Sequence, residues 1–171
     1  TGTSAENIII FTYTINSYTV SFNSNGGTVV TAITQNYNTQ VAQPSDPARA
    51  GYTFSGWYYD TGLTNLVEWP YTLGAANVTF YAKWTANTYT VSFDVQGGLS
   101  TPDSISVTYD STYGTLPQPE KTGYTFGGWY TGTNGAGALV TSATTVQIIA
   151  PQTLYAKWIV NSYTVSFDSA G

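Results

Sequence analysis

A five-residue sequence that occurs three times constrains this chain more than any other feature. Tyr-Thr-Val-Ser-Phe begins at Tyr18, Tyr89 and Tyr163. The repeating unit is therefore roughly 70 residues long, near the lower size limit for independent folding. Repetition at a fixed period is typical of tandem arrays of domains. The chain is predicted to contain similar small domains rather than one large core.

Two further motifs recur in the same order. Gly-Tyr-Thr-Phe-x-Gly-Trp-Tyr occupies 51–58 and 123–130, and Tyr-Ala-Lys-Trp occupies 81–84 and 155–158. Because three motifs keep their order and spacing, chance similarity is excluded. The motifs predict four segments: a tail strand of a preceding repeat at 1–17, complete repeats at 18–87 and 88–160, and the start of a truncated third repeat at 161–171.

Composition excludes several classes of function. Only 8% of residues are charged, the net charge is −5, and the chain has no His, Cys or Met. Triads that use His or Cys, Cys/His zinc sites and disulfides cannot be built. Four basic residues cannot neutralise a nucleic-acid backbone, and no apolar run approaches the ~20 residues of a membrane span. We expect no enzyme activity, no cofactor, no metal, no nucleic-acid partner and no membrane insertion.

The motifs also predict the secondary structure. Apolar residues alternate with hydroxyl residues in Tyr-Thr-Val-Ser-Phe, which is typical of a half-buried strand. The glycine pairs that follow, Gly26 and Gly27 in the first copy and Gly97 and Gly98 in the second, predict tight hairpin turns. Further strands are expected at about 28–37, 52–58 and 78–84, and at 104–109, 124–130 and 153–158. A weak pattern predicts a short helical turn near Leu66 to Trp69.

Large aromatic residues at matching positions of the two copies are interpreted as core, because small domains use such side chains to fill their interiors. Trp69 has no counterpart in the second copy and is the candidate for a surface contact. The predicted core comprises Tyr18, Val20, Phe22, Phe54, Trp57, Trp84, Tyr89, Val91, Phe93, Phe126, Trp129 and Trp158.

Three groups of polar residues are candidate chemical sites. Asp60 and Glu68 would form a catalytic carboxylate pair only in the first copy, so solvated loop charges are the preferred interpretation. The segment 60–65 is too poor in carboxylates for a good calcium loop. Lys83 and Lys157 suggest either isopeptide chemistry or a cation–π contact, and a solvated lysine is the plain alternative.

The three motifs in order resemble the Listeria–Bacteroides repeat, the family of the B repeat of internalin B, over nearly the whole chain. The resemblance implies a mainly β, β-grasp-like (ubiquitin-like) module with little helix, carried in tandem by a secreted or surface-anchored bacterial protein. It also implies a spacer or stalk role in adhesins, with protein interactions as an added duty, and it supplies no catalytic residues.

Two functions therefore remain open. The first is a structural stalk that presents a distal domain at the bacterial cell surface. The second is a module that binds a glycan, a host protein or a cell-wall protein through repeated weak contacts. Self-association is also expected, because the segments Ile8–Ile15 and Tyr163–Phe167 are strands separated from the rest of their own copies.

Overall fold

A computed structural model of the chain describes residues 9–99 and 102–168. The described residues form two compact units. The first consists of 9–49 and 54–84, and the second of Ala50–Thr53, 85–99 and 102–168. The second unit therefore includes seven residues that come from the first sequence copy, at 50–53 and 85–87.

The first copy forms a four-stranded mixed sheet with a small two-stranded ribbon. The strands are β1 (Ser17–Asn23), β2 (Ile33–Asn36), β3 (Gln40–Val41), β4 (Tyr52–Tyr58), β5 (Tyr71–Thr72) and β6 (Val78–Ala86). The sheet order is β2-β1-β6-β4, with β1 antiparallel to β2 and parallel to β6. The ribbon pairs β3 with β5 in antiparallel fashion.

The second copy repeats this topology in a five-stranded sheet. Its strands are β7 (Thr88–Asp94), β8 (Ser104–Thr108), β9 (Tyr124–Tyr130), β10 (Leu139–Val140) and β11 (Gln152–Val160). Their order in the sheet is β10-β9-β11-β7-β8, and the first strand, β7, is antiparallel to β8 and parallel to the last strand, β11. A 3-10 turn, Thr133–Gly135, lies in the loop between β9 and β10.

Each sheet buries one face because its strands alternate large apolar residues with polar ones. On β6, Phe80 and Ala82 are fully buried, while Tyr81 and Lys83 alternate with them. On β11, Leu154 and Ala156 hold the equivalent places. The two units thus have separate hydrophobic clusters, each built around one tryptophan.

The prediction of a mainly β tandem repeat is confirmed, and β4 and β9 span the predicted 52–58 and 124–130. The helical turn predicted near Leu66 to Trp69 is wrong. Leu66 instead forms a β-bridge with Tyr58, and the Val67 amide donates to the carbonyl of Trp57 at 2.8 Å. Pairing with β4 therefore fixes the backbone at Leu66 and Val67, and Trp69 lies in a bend. No helix in the described part of the chain is long and apolar enough to cross a membrane.

The glycine pairs make tight turns, but they do not lead directly into the second strand. The Gly27 amide donates to the Ser24 carbonyl at 3.0 Å, and the next amide, on Thr28, donates to Ala48 at 2.9 Å. The strand β2 begins only at Ile33. The simple hairpin predicted from Gly-Gly is therefore replaced by a turn followed by a loop that pairs elsewhere.

The two segments predicted to be separated strands are exposed. Residues 9–15 and 163–167 lie outside all strands of the described structure, and Phe11, Tyr13 and Phe167 are among their exposed large side chains. Ile8 lies outside the described residues. Pairing of these segments with another molecule stays a prediction.

Candidate functional site

The predicted core residues lie in or against the two hydrophobic clusters. Val20, Trp57, Val91, Phe93 and Trp129 are buried. The other seven are partly buried and pack against the clusters: Tyr18, Phe22, Phe54, Trp84, Tyr89, Phe126 and Trp158. Sequence patterns do not predict the core residues supplied by loops and short strands, because isolated apolar residues in loops carry no periodic signal. Among these core residues are Val41, Val67, Leu73, Tyr113, Val140 and Val146.

The two central tryptophans differ in one contact. Trp129 donates its indole N–H to the carbonyl of Pro117 at 2.8 Å, whereas the buried indole nitrogen of Trp57 has no hydrogen-bond partner among the described residues. Both rings otherwise pack alike, with Phe22 at 4.9 Å from Trp57 and Phe93 at 4.6 Å from Trp129 between ring centres. The proline-bearing connection of the second copy thus anchors its tryptophan.

The half-buried tryptophans of β6 and β11 form hydrogen bonds to the glycine turns. Trp84 donates its indole N–H to the Ser24 carbonyl at 2.8 Å, and Trp158 donates to Val95 at 2.9 Å. A Cβ on Gly27 or Gly98 would overlap the six-membered ring of the corresponding tryptophan. The second glycine of each pair is therefore required by this close approach, whereas Gly26 and Gly97 adopt positive φ of 88° and 80°.

A basic side chain closes the same turn in both copies. Arg49 donates to the Asn25 carbonyl at 3.2 Å, and Lys121 donates to the Gln96 carbonyl at 2.9 Å. The Lys121 ammonium also lies 4.7 Å from the centre of the Tyr124 ring and 5.8 Å from that of Trp158. Sequence reasoning missed this pair, although a basic residue two positions before the Gly-Tyr-Thr-Phe motif is visible in both copies.

A cleft of about 680 Å³ lies beside this turn in the second unit. Glu120, Lys121, Tyr124 and Trp158 line it together with Leu99. Aromatic faces beside a cation and a carboxylate can stack on a sugar ring and bond its hydroxyls. The Lys121 ammonium, however, already bonds a carbonyl and lies over both rings, so the arrangement also serves as a clamp on the turn.

The lysines of the Tyr-Ala-Lys-Trp motif lie over tyrosine rings of the neighbouring strands. Lys83 lies 4.9 Å from the ring centre of Tyr58 and donates to the Leu63 carbonyl at 3.3 Å. Lys157 lies 5.4 Å from the ring centre of Tyr130. The geometry is that of a cation–π contact, one of the alternatives weighed above.

The Asp60 carboxylate organises its own loop. It accepts hydrogen bonds from the Asn65 amide at 2.9 Å and from the amide and hydroxyl of Thr64. These bonds, with that from the Asn65 amide the largest cause, hold the pKa of Asp60 below its usual 3.8. No group of three or more acidic side chains suitable for a metal occurs in the described ranges.

This loop should show a pH dependence of its own. Because the pKa of Asp60 is lowered in the folded state, its stabilising effect is full only at pH values well above its ordinary pKa of 3.8, and it is lost as the pH falls through the lowered value. As the pH falls from well above 3.8 through the lowered pKa of Asp60, the protection of the Thr64 and Asn65 amides, measured as observed exchange relative to the intrinsic rate at the same pH, is expected to decrease. Asp60→Asn should remove this pH dependence, whereas Asp103→Asn, with the same change of charge, should leave it intact. Equal pH dependence in both variants would contradict the assignment.

Trp69 lies half-buried against the first hydrophobic cluster. Its ring centre is 5.8 Å from that of Phe80 in an edge-on arrangement and 6.5 Å from that of Phe22. One side of the indole is therefore used in packing. A surface contact through its remaining area stays a prediction.

The family model of the Listeria-Bacteroides repeat domain matches residues 18–83 and 89–157, which together cover most of the chain. The chain belongs to this family. The two matches begin at the same motif, and each contains the parallel pairing of first and last strands described above. The resemblance seen in the sequence motifs is thereby confirmed, as is the presence of two tandem copies.

Curated relatives of this Listeria-Bacteroides repeat chain are much longer proteins. A protein of Evansella cellulosilytica named as a Gly-rich membrane protein is 39% identical over 98% of the chain, which spans 19% of that relative. Internalin H of Listeria monocytogenes is 36% identical over 85% of the chain, which spans 26% of it. The chain thus corresponds to about a fifth to a quarter of the length of these relatives.

A solved structure of Streptococcal High Identity Repeats in Tandem (SHIRT) domains 3-4 from a cell surface protein is 16% identical. The match covers 84% of this chain and 98% of that one, with a TM-score of 0.27. A TM-score this low supports no further statement about the Listeria-Bacteroides repeats.

Proposed function

We propose that these repeats are non-enzymatic spacer modules of a secreted or cell-surface bacterial protein and that they transmit tension along the chain. The observation that carries the proposal is the parallel pairing of the first and last strands of each copy. In the first copy, Val20 to Asn23 of β1 pair with Val78 to Tyr81 of β6. In the second, Val91 to Asp94 of β7 pair with residues of β11 in the same way.

Parallel terminal strands resist a pull on the chain ends because of their geometry. A force on the start of β1 and the end of β6 acts along the strands, so all the hydrogen bonds between them are loaded together in shear. A force applied to the same end of both strands would break the bonds one at a time. The strand β6 ends at Ala86 and β7 begins at Thr88, so tension would pass between copies through a single residue.

Single-molecule pulling tests this proposal. Because the chain has no cysteine, handles can be placed freely at exposed positions. Asn16→Cys with Thr85→Cys loads the β1–β6 pair in shear, and Asn16→Cys with Ala76→Cys opens it from one end. We expect a several-fold higher unfolding force in the first geometry. Equal forces would contradict a mechanical role.

The spacer function also predicts how length grows with copy number. In solution scattering, chains with two and four copies should differ in maximum dimension by a fixed increment per copy. A maximum dimension that does not grow with copy number would contradict the proposal.

A second candidate function is glycan binding at the 680 Å³ cleft of the second unit, favoured by Tyr124 and Trp158 beside Lys121 and Glu120. A glycan array with the chain and its Tyr124→Ala variant tests it. Binding that the variant loses would favour this function, and absence of binding by the unchanged chain would exclude it.

A further inference from the structure

The second unit contains a contact that joins residues from both sequence copies. Gly51, at a φ of 78°, is buried, and a Cβ there would overlap the Tyr109 ring. The next side chain, Tyr52, meets Tyr109 edge-on at 5.4 Å between ring centres, and its hydroxyl donates to the Asp110 carboxylate. We refer to Gly51–Thr53 as the socket and to Tyr109–Asp110 as the Tyr-Asx turn.

The socket is held in shape by an asparagine between strands. The Asn87 amide donates to the Gly51 carbonyl at 2.9 Å, and the Thr53 hydroxyl donates to the Asn87 side-chain carbonyl at 2.6 Å. The Tyr-Asx turn is likewise fixed. The Asp110 amide donates to the Val146 carbonyl at 2.9 Å, with Asp110 at a φ of 61°.

The second copy builds the same socket at 123–125. The Asn161 amide donates to the Gly123 carbonyl at 3.0 Å, the Thr125 hydroxyl donates to the Asn161 side chain at 2.7 Å, and Gly123 has a φ of 81°. A Cβ on Gly123 would meet no described atom within 4 Å, and Tyr124 is exposed. This second socket is therefore preformed and unoccupied among the described residues.

The first copy carries a second Tyr-Asx turn at Tyr37–Asn38. The Asn38 amide donates to the Leu73 carbonyl at 2.9 Å and Asn38 has a φ of 60°, which match the values at Asp110. Tyr37 is 51% exposed, whereas Tyr109 is half-buried against its socket. The described chain thus has one occupied socket, one open socket and one free turn.

We propose that the open socket at Gly123–Thr125 is a docking surface for the Tyr-Asx turn of another repeat. In solution, the turn at Tyr37–Asn38 of a second copy of this chain occupies it. The Tyr37 ring covers Gly123 and meets Tyr124 edge-on, and the Tyr124 hydroxyl donates to the side-chain oxygen of Asn38. This inference deepens the proposed spacer function and rests on it. It identifies the surface of each repeat that binds the repeat following it in the chain.

A complementary pair of variants tests the docking in trans. Tyr37→Ala removes the free turn and keeps the socket, whereas Tyr124→Ala keeps the turn and removes the aromatic side of the socket. Both side chains are exposed, so folding should persist, as checked by their amide NMR spectra. Val29→Ala, which changes an exposed apolar residue of the first unit, is the matched control.

The unchanged chain and Val29→Ala are expected to self-associate reversibly in sedimentation as concentration rises. Each socket or turn variant alone should associate at least about tenfold more weakly, as for loss of a central aromatic contact. Mixing the two variants should restore association as a 1:1 pair, with amide shifts at Gly123 and Thr125 in labelled Tyr37→Ala.

Three results would overturn the proposal. These are no association of the unchanged chain at millimolar concentration, association that neither variant weakens, and amide shifts confined to 9–15 and 163–167. The last would identify pairing of exposed segments as the mode of association. Failure here leaves the force and length measurements on the spacer function unaffected, so the two hypotheses can be rejected separately.

Discussion

Replacing Trp57 or Trp129 by alanine should lower the free energy of unfolding of the affected unit by about 3–5 kcal/mol. Both indoles are fully buried, at 0% and 1% exposure. Each packs against two phenylalanine rings of its own hydrophobic cluster. A domain of this size has a small margin of stability, so the loss should remove much of it. Hydrogen exchange resolved by peptide across a urea series reports each unit separately.

The matched control is Trp69→Ala, which removes the same side chain from a half-buried position of the first unit. Its cost should be clearly smaller than that of Trp57→Ala. Comparable costs would show that the burial of Trp57 does not determine the stability of the unit.

Phenylalanine at the same positions separates packing from hydrogen bonding. Trp129→Phe leaves the Pro117 carbonyl without its donor, whereas Trp57→Phe removes an indole N–H that has no partner in the described structure. Trp129→Phe should therefore cost about 1–3 kcal/mol more than Trp57→Phe. Equal costs would contradict a stabilising role for the Pro117 contact.

The second large effect is expected at the turn glycines Gly27 and Gly98. Alanine at either position should destabilise its unit by about 1–3 kcal/mol, because the added methyl group would overlap Trp84 or Trp158. The ring must shift, and its hydrogen bond to Ser24 or Val95 is then lost. Urea unfolding measures the cost, and faster exchange of the indole proton in NMR spectra reports the broken bond.

Gly74→Ala is the control for this experiment. A Cβ at Gly74 would meet nothing within 4 Å among described atoms, and its φ is not positive. The free energy of unfolding should stay the same or rise slightly, because alanine restricts the unfolded chain. Destabilisation of Gly27→Ala no greater than that of Gly74→Ala would contradict the close approach.

Much of the fold was predictable because its signals are local. The alternation in Tyr-Thr-Val-Ser-Phe predicts β1 and β7, and the aromatic strands at 52–58 and 124–130 were located to the residue. The conformation of the segment at Leu66 is not predictable in this way, because four residues carry too little periodicity to distinguish a helical turn from a β-bridge to Tyr58. The role of Gly27 was missed for a related reason: its constraint comes from Trp84, far away along the chain.

The candidate sites divide in the same way. Matching positions in the two copies are sufficient to select Trp57 and Trp129, but not to reveal that only Trp129 donates a hydrogen bond. Nor do they indicate that Lys121 lies over Tyr124 and Trp158, since the rings and the cation come from different strands and loops.

Sequence alone determined the number of copies, their strand character and the absence of His and Cys chemistry, because repetition, alternation and composition are properties of the linear chain. Tertiary structure alone decided that the first and last strands of a copy are parallel neighbours, and that Ala50–Thr53 pack with the second unit. Both depend on contacts between residues distant along the chain, and the free energy of such contacts is fixed only when the whole sheet has formed.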